Sequence, residues 1–204
     1  MKKVLVGSPI RQKNNILKEF LLSLDEFYKD GLEVDYYFVD DNTDIKSSDL
    51  LKNFADNHNV ILKKAEDLYK FDEEEYICNN ISHFWKKDLI KKIAFFKDSI
   101  IDYANEKGYD YLFLIDSDIV LNKQTVLHLI SRNVDIISNV FWSQWNINYA
   151  LEPQVWLQDE FNCFIRDWDK DISDGEKWQK KVDFFAKLRV PGIYEVGGLG
   201  ACTL

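Results

Sequence analysis

The segment Tyr111–Ile115 constrains the fold more than any other stretch of this sequence. Its five residues, YLFLI, are all apolar, and Asp116 and Asp118 come immediately after them. A short continuous apolar run is typical of a strand buried on both faces, which requires helices on both sides of a sheet. An unpaired carboxylate is costly in such an interior. The two aspartates are therefore expected at the end of the strand, directed at a cation or a ligand.

Strand and helix patterns alternate along the first two thirds of the chain. Strands are predicted at Lys3–Gly7, 32–42, 60–65, 111–115 and 134–141, and helices at 14–30, 47–57, 84–107 and 123–132. The expected helix caps are Asn14 or Asn15, Ser47 or Ser48, and Asn122. Residues 66–83 are acidic and irregular, which predicts a solvated loop. The alternation predicts an α/β protein with a mostly parallel central sheet flanked by helices, a Rossmann-like nucleotide-binding architecture.

Polar residues follow three of the predicted strands. Asp40 and Asp41 follow the second strand, and Arg11 follows the first in the segment GSPIRQ. The helix before the Asp116 strand carries a group of lysines: Lys86, Lys87, Lys91 and Lys92. Each feature by itself is typical of turns and solvated helix faces. Because ligands of parallel α/β sheets bind outside the carboxyl ends of the strands, their convergence at one edge favours a ligand site.

The Asp116–Ser117–Asp118 motif has two interpretations. A hard divalent cation prefers oxygen ligands, and Mg²⁺ or Mn²⁺ is often held by one or two carboxylates together with substrate phosphates. A nucleoside diphosphate is then a natural partner. Alternatively, the two aspartates are turn and cap residues, since Asp and Ser are common there. The neighbouring strand ends favour the metal-site interpretation.

The composition excludes several classes of protein. The net charge of −9 disfavours nucleic acid, whose phosphate backbone needs clustered lysine and arginine. Charged residues interrupt every apolar run, so no transmembrane span is expected, and the protein is expected in the cytoplasm. Cys78, Cys163 and Cys202 are widely spaced without a CxxC pair, which predicts reduced thiols and no structural zinc.

Four segments carry a resemblance to a known group of enzymes. KVLVGSPIRQ, YYFVDDNTD, YLFLIDSDIVL and VGGLGACTL occur in the order found in nucleotide-sugar glycosyltransferases of the GT-A fold. Over nearly its whole length the chain resembles the family-two-like enzymes and the related fungal mannan-polymerase type. The resemblance implies hexosyl transfer from a UDP- or GDP-linked sugar to a glycan or other hydroxyl acceptor, with Mn²⁺ or Mg²⁺ as cofactor.

Site residues follow from the motifs and the resemblance together. Those expected to bind the nucleotide-sugar are Pro9, Arg11, Asp40, Asp41, Lys91, Asp116, Ser117 and Asp118. Those expected on the acceptor side are Trp142, Gly197, Gly198 and Gly200. The resemblance implies metal binding by Asp116 and Asp118, with Asp118 the direct ligand and Asp116 nearer the ribose.

The chain departs from the family pattern at its end. Family-two enzymes carry an acidic catalytic base beyond the glycine segment, whereas this sequence stops at Leu204 directly after it. We therefore expect one GT-A-like domain over residues 1–204, with a donor half at 1–140 and, at 141–204, the start of an acceptor half that lacks its remainder. The catalytic base is not assigned, and the acidic candidates present are Glu195 and the pair Asp159–Glu160.

Two other functions compete with glycosyl transfer. A haloacid-dehalogenase-like phosphatase also uses Asp-x-Asp after a buried strand, and Val120 fits its pattern. That motif stands on the first strand of its fold, however, and here three predicted strands precede it. The second alternative is a sugar-nucleotide-binding module that has the same fold but does not catalyse transfer.

Overall fold

The computed structural model describes residues 1–68, 70, 86–144, 148, 150–156, 173–200 and 202–204. Its contacts divide the chain into two compact units. The first comprises Met1–Ile137 with Ala201–Leu204, and the second comprises Ser138–Gly200.

The first unit is built on a five-stranded sheet. Its strands are β1 (Lys2–Ile10), β2 (Leu32–Asp40), β3 (Val60–Lys64), β4 (Tyr111–Ile115) and β9 (Cys202–Thr203), in the order β3-β2-β1-β4-β9. The first four are parallel, and β9 pairs antiparallel with β4. The helices are α1 (Asn14–Glu26), α2 (Ile45–Ala55), α3 (Ala65–Leu68), α4 (Lys87–Lys107) and α5 (Thr125–Ile130). The predicted α/β class with a mostly parallel, helix-flanked sheet is confirmed.

Apolar side chains cover both faces of the sheet. On β1, Val4 and Val6 join a core cluster that includes buried residues of α1, α2 and α5, whereas Leu5 joins the cluster formed with α4. All three side chains are 0% exposed. Alternate residues of a strand point to opposite faces, so helices must bury both sides of β1. The strand-end polar groups therefore stand on a rigid support.

Helix α4 lies unusually close to β1 because Gly7 has no side chain. A Cβ atom at this position would overlap the Cγ2 methyl of Ile100 and come within 3.3 Å of Leu114 Cδ2. The buried face of α4 consists of Phe96, Ile100 and Ala104. Gly108 ends the helix in the left-handed conformation, with φ of 68°, as the sequence suggests.

Several predicted helix caps are wrong. The cap of α1 is Lys13, without a side-chain hydrogen bond, and α2 is capped by Asp44, which accepts from the Lys46 amide. Helix α5 begins only at Thr125, although Asn122 Oδ1 accepts from the Gln124 amide at 3.0 Å. Asp44 precedes both predicted serines and already satisfies a first-turn donor, which explains the earlier start of α2.

The predicted strand at 134–141 does not form, although the structure describes all of those residues. Ile137 instead exchanges two backbone hydrogen bonds with Leu204, of 3.0 and 2.8 Å. The edge position beside β4 is taken by β9, and the segment meets the chain next to β9 through this pair of bonds instead of pairing with β4.

The second unit contains short elements. Its strands are β5 (Trp142–Ser143), β6 (Glu152–Pro153), β7 (Val155–Trp156) and β8 (Gly198–Leu199), paired β5 with β6 and β7 with β8, both antiparallel. Its helix is α6 (Asp174–Leu188), which begins with a capping box between Ser173 and Glu176. The Ser173 hydroxyl and amide both donate to Glu176, which lowers the pKa of that carboxyl.

Candidate functional site

The carboxyl ends of β1, β2 and β4 bring most of the predicted donor-site residues to one edge of the first unit. Ile10 of β1 is in register with Asp40 of β2, and the Asp41 amide donates to the Ile10 carbonyl at 2.9 Å. On the other side of β1, Gly7 is in register with Leu114, two residues before Asp116. Because β1 lies between β2 and β4, its end separates the two aspartate pairs.

Asp40 is held by its own turn. Asp40 is only 8% exposed. Its Oδ1 accepts hydrogen bonds from the Asn42 amide at 3.1 Å and from Asn42 Nδ2 at 2.8 Å. The Asn42 Oδ1 in turn accepts from the Gln12 amide at 2.8 Å. These bonds join the turns after β1 and β2, so Asp40 fixes the shape of the edge.

Asp41 lies between two cations. Lys92 Nζ is 2.6 Å from Oδ1 and Arg11 Nη1 is 3.4 Å from Oδ2. The side chain of Asp41 is 12% exposed and that of Lys92 is 18% exposed. Charge-assisted bonds with little water access are stronger than surface pairs. Asp41 therefore ties α4 to the end of β1 through an ion network in which Asp41 and Lys92 are shielded and Arg11 is 31% exposed.

The Asp116–Asp118 turn is more open to solvent. The Asp116 side chain is 42% exposed and its Oδ1 lies 3.1 Å from Lys97 Nζ, while Asp118 is exposed. Ser117 between them is buried at 8%, and the Ile119 amide donates to the Asp116 carbonyl at 3.2 Å. The buried serine anchors the turn, and the two carboxylates flanking it remain accessible to an incoming ligand.

Helix α4 brings Lys92 and Lys97 to the aspartates, whereas Lys91 was predicted from the sequence. Lys91 is exposed and pairs with Asp88 at 3.0 Å, whereas Lys92 and Lys97 contact the aspartates. The signal was available in the helical spacing. With 3.6 residues per turn, Lys92 and Lys97 fall about 70° to either side of the apolar stripe of α4, and Lys91 falls opposite it.

Cys202 lies on the strand beside this turn. It is 4% exposed and in register with Ile115, the last residue of β4. Burial, reinforced by the negative charge of Asp116, raises the pKa of its thiol to about 12. The thiol therefore stays protonated and serves as a small apolar side chain.

The carboxylate oxygens available at this turn suit a hard cation that has few protein ligands. Within the part of the chain that the structure describes, no group of three or more His, Cys, Asp or Glu side chains gathers at one point. Asp116 and Asp118 offer carboxylate oxygens, and the ammonium of Lys97 already occupies a cation position beside Asp116. Two carboxylates with phosphate oxygens and water as the other ligands are a common arrangement for Mg²⁺.

The residues predicted for the acceptor side lie in the second unit. Trp142 is half-buried, with the Arg189 guanidinium 4.4 Å above its ring centroid and Phe185 edge-on at 6.0 Å. The Gly197 amide donates to the Trp156 carbonyl at 2.8 Å, and Gly198 pairs with Trp156 across β7 and β8. One face of Trp142 is thus covered by Arg189.

Gly200 closes the glycine segment by a close backbone approach. A Cβ atom there would come within 2.9 Å of the Gln154 Cβ and 3.2 Å of Phe141 Cε1, so a side chain does not fit. Of the acidic candidates for a catalytic base, Glu195 is exposed, and Asp159 and Glu160 lie outside the described residues.

Comparison with known proteins identifies the family. The sequence profile of glycosyltransferase family 25, N-terminal domain, matches residues 1–156 of the 204. The chain belongs to glycosyltransferase family 25. The match includes every predicted donor-site residue and ends before the glycine segment. The predicted resemblance to glycosyltransferases is confirmed at the level of the family, which is family 25, whereas the motifs resemble the family-two and mannan-polymerase types.

Three curated relatives are themselves family 25 members. The chain is 22% identical over 129 residues to a glycosyltransferase 25 family member of Drosophila melanogaster. The aligned region covers 63% of this chain and 21% of the relative. It is 25% identical over 144 residues to one of Aedes aegypti, covering 69% and 23%, and 28% identical over 136 residues to one of Drosophila pseudoobscura pseudoobscura, covering 63% and 21%. This family 25 chain therefore matches about a fifth of the length of these relatives.

Among the described residues, no helix combines the length and the apolar character needed to cross a membrane.

Proposed function

We propose that the edge formed by β1, β2 and β4 is the donor site of a metal-dependent glycosyltransferase. It would take a hexose from a UDP- or GDP-linked donor and pass it to the hydroxyl of a glycan or similar acceptor. The observation that carries the proposal is the accessible Asp116–Asp118 pair at the end of β4, two strands from Asp41 and its partners Lys92 and Arg11 at the end of β2. The fold that fits this arrangement is GT-A.

Each residue has a distinct task in this proposal. Asp118 and Asp116 would hold Mn²⁺ or Mg²⁺, which, when bound, neutralises the charge of the departing nucleoside diphosphate. Pro9 and Arg11 line the end of β1 where the nucleotide would lie, and Arg11 is suited to phosphate because its planar fork matches phosphate oxygens. Asp40 keeps the turn after β2 in shape through Asn42.

The acceptor hydroxyl needs a base if the reaction inverts the sugar carbon. Trp142 and the glycine segment are the proposed acceptor-side elements. The close backbone approach at Gly200 and the packing of Gly198 against Trp156 give that segment a defined shape.

Calorimetric titration with UDP and with GDP, each in the presence and absence of Mn²⁺, tests the proposal. We expect one nucleotide to bind, and to bind only with the metal, which would also identify the donor class. Metal-independent binding of either nucleotide would contradict a metal-bridged diphosphate. Metal-dependent binding without any hydrolysis or transfer from the matching nucleotide-sugar would favour the non-catalytic binding module. Hydrolysis of phosphate monoesters would favour the phosphatase.

A further inference from the structure

Lys97 was not among the residues predicted from sequence, yet it makes the ion pair with the proposed metal site. Its Nζ lies 3.1 Å from Asp116 Oδ1, with side-chain exposures of 32% for Lys97 and 42% for Asp116. Its neighbours Phe96 and Ile100 are 0% exposed, and Ile100 packs over Gly7. The lysine is therefore carried by a rigid part of α4, and only its side chain is free to change position.

We propose that Lys97 is an exchangeable counter-ion of Asp116. It neutralises the carboxylate in the protein without a divalent cation, and it passes to a diphosphate oxygen of the donor when Asp116 becomes a ligand of that cation. This inference depends on the donor site proposed above.

Electrostatics favour such an exchange. A divalent cation bound to Asp116 would place its charge within a few ångströms of the Lys97 ammonium, and two cations at that distance repel each other. A diphosphate arriving with the metal offers the displaced ammonium a new anionic partner. The flexible four-carbon stem of lysine allows its charge to move by several ångströms without movement of the helix.

The Lys97–Asp116 pair is more exposed to solvent than the Lys92–Asp41 pair, and for this reason we assign the exchange to Lys97 and not to Lys92. Half-exposed ion pairs contribute little free energy, so the Lys97–Asp116 bond is easily given up. Lys92 lies 2.6 Å from Asp41 with both side chains below a fifth exposed, and Arg11 contacts the other oxygen of the same carboxylate. Giving up that contact would disturb a shielded network.

The test compares the wild-type protein with Lys97→Met and Lys97→Arg. The matched control is Lys123→Met, which breaks a pair of the same length, 3.1 Å to Glu26, with exposures of 53% and 47%. The binding of Mn²⁺ alone is measured from the electron paramagnetic resonance signal of the free ion. Binding of UDP and GDP is measured by calorimetry at saturating Mn²⁺.

The expected signature is two shifts of opposite sign. Lys97→Met should bind Mn²⁺ alone about two- to fivefold more tightly, because its competitor is gone. It should bind the preferred nucleotide with Mn²⁺ roughly tenfold or more weakly, because a charge-assisted bond to phosphate is lost. Lys97→Arg should stay close to wild type in both, and Lys123→Met should change neither. A residue with only a structural role would shift both affinities in the same direction.

Two results would overturn the inference in distinguishable ways. If the wild-type protein binds a nucleotide with Mn²⁺ and Lys97→Met shows unchanged affinities, or shifts of one sign, the exchange is wrong and the donor site stands. If the wild-type protein shows no Mn²⁺-dependent nucleotide binding, the donor site itself is wrong and the exchange falls with it. Thermal melting of every variant confirms that it is folded before the comparison is made.

Discussion

The two aspartate pairs at the ends of β2 and β4 look alike in sequence and differ in structure. Asp40 and the side chain of Asp41 are 8% and 12% exposed, and protein groups bond both carboxylates. The Asp116 side chain is 42% exposed, with Lys97 as its ion-pair partner, and Asp118 is exposed. The first pair shapes the edge of the sheet, and the second is the one accessible to a ligand. Residue type and position at a strand end do not separate these tasks, whereas burial does.

The spacing within each pair contributes to this difference. Asp40 and Asp41 are consecutive, so their side chains point in different directions at the strand end. Asp40 accepts a hydrogen bond from Asn42 in the loop, and Asp41 accepts one from Lys92. In Asp116–Ser117–Asp118 the buried residue is the serine between them. These residues form a turn, closed by the hydrogen bond from the Ile119 amide to the Asp116 carbonyl, in which the two aspartates are more exposed than the serine.

The largest expected effect is on binding, from Asp118→Asn. It removes a carboxylate from the exposed pair, so we expect Mn²⁺-dependent nucleotide binding to fall about a hundredfold or more, roughly 2.7 kcal/mol. The exposed position predicts an unchanged circular dichroism spectrum and melting temperature. Calorimetry on the variant checks the first expectation. Undiminished binding would mean that the exposed pair is not the metal site.

The next largest effect is on stability, from Asp41→Asn. Asparagine cannot neutralise Lys92 and Arg11, so we expect the free energy of unfolding to fall by roughly 1.5–3 kcal/mol, the usual cost of losing a hydrogen bond to a charged group. Asp116→Asn, which breaks a half-exposed pair, should cost less than about 1 kcal/mol. Urea unfolding of the two variants gives both values. Equal losses would erase the distinction between the pairs.

The contact between α4 and β1 supports both pairs, because Lys92 and Lys97 stand on that helix. Gly7→Ala would force the Cβ against Ile100, and we expect a loss of about 1–3 kcal/mol in the free energy of unfolding, as for other overpacked cores. Gly175→Ala, with nothing within 4 Å of the added Cβ, is the matched control and should be neutral or slightly stabilising. A tolerated Gly7→Ala would show that α4 can move away without loss.

The sequence predicts the four parallel strands of the first unit well because each contains a continuous apolar run. Strand β1 extends beyond the predicted Lys3–Gly7 to Ile10, since Ser8 is buried and Pro9 still pairs with Val39. The ladder with β4 ends at Gly7, so β1 is paired on one side only where the proline occurs, and a proline is tolerated there. From sequence alone, the proline indicates that the strand ends before it. The pairing with β2 nevertheless extends the strand past it.

Elements whose partners are distant in the chain could not be predicted. Strand β9 has two residues, too few for any periodicity, and forms only because Leu114 and Ile115 present an unpaired edge. The strands of the second unit are equally short, and α6 has Phe184 as its buried residue. The aspartates at the strand ends were predictable from the sequence, and the helical spacing places Lys92 and Lys97 beside the apolar stripe of α4. Which carboxylate each lysine meets depends on the tertiary structure.

The smallest expected effect concerns the thiol of Cys202, beside the exposed aspartate pair. It depends on the charge of Asp116. The pKa of Cys202 is raised from 9.0 to about 12, first by burial and then by the charge of Asp116. The unfolded thiol ionises first as the pH rises above 9.0, so this group lowers the stability of the folded protein progressively between pH 9 and pH 12. Alkylation followed by peptide mass spectrometry should find Cys202 protected in the folded protein and labelled after unfolding. Asp116→Asn should increase its labelling rate by less than about tenfold, since one pKa unit is a factor of ten in thiolate. Lys123→Met, which breaks the surface pair with Glu26, should leave the rate unchanged, and an equal increase in both variants would show that local opening, not the charge of Asp116, controls the reaction.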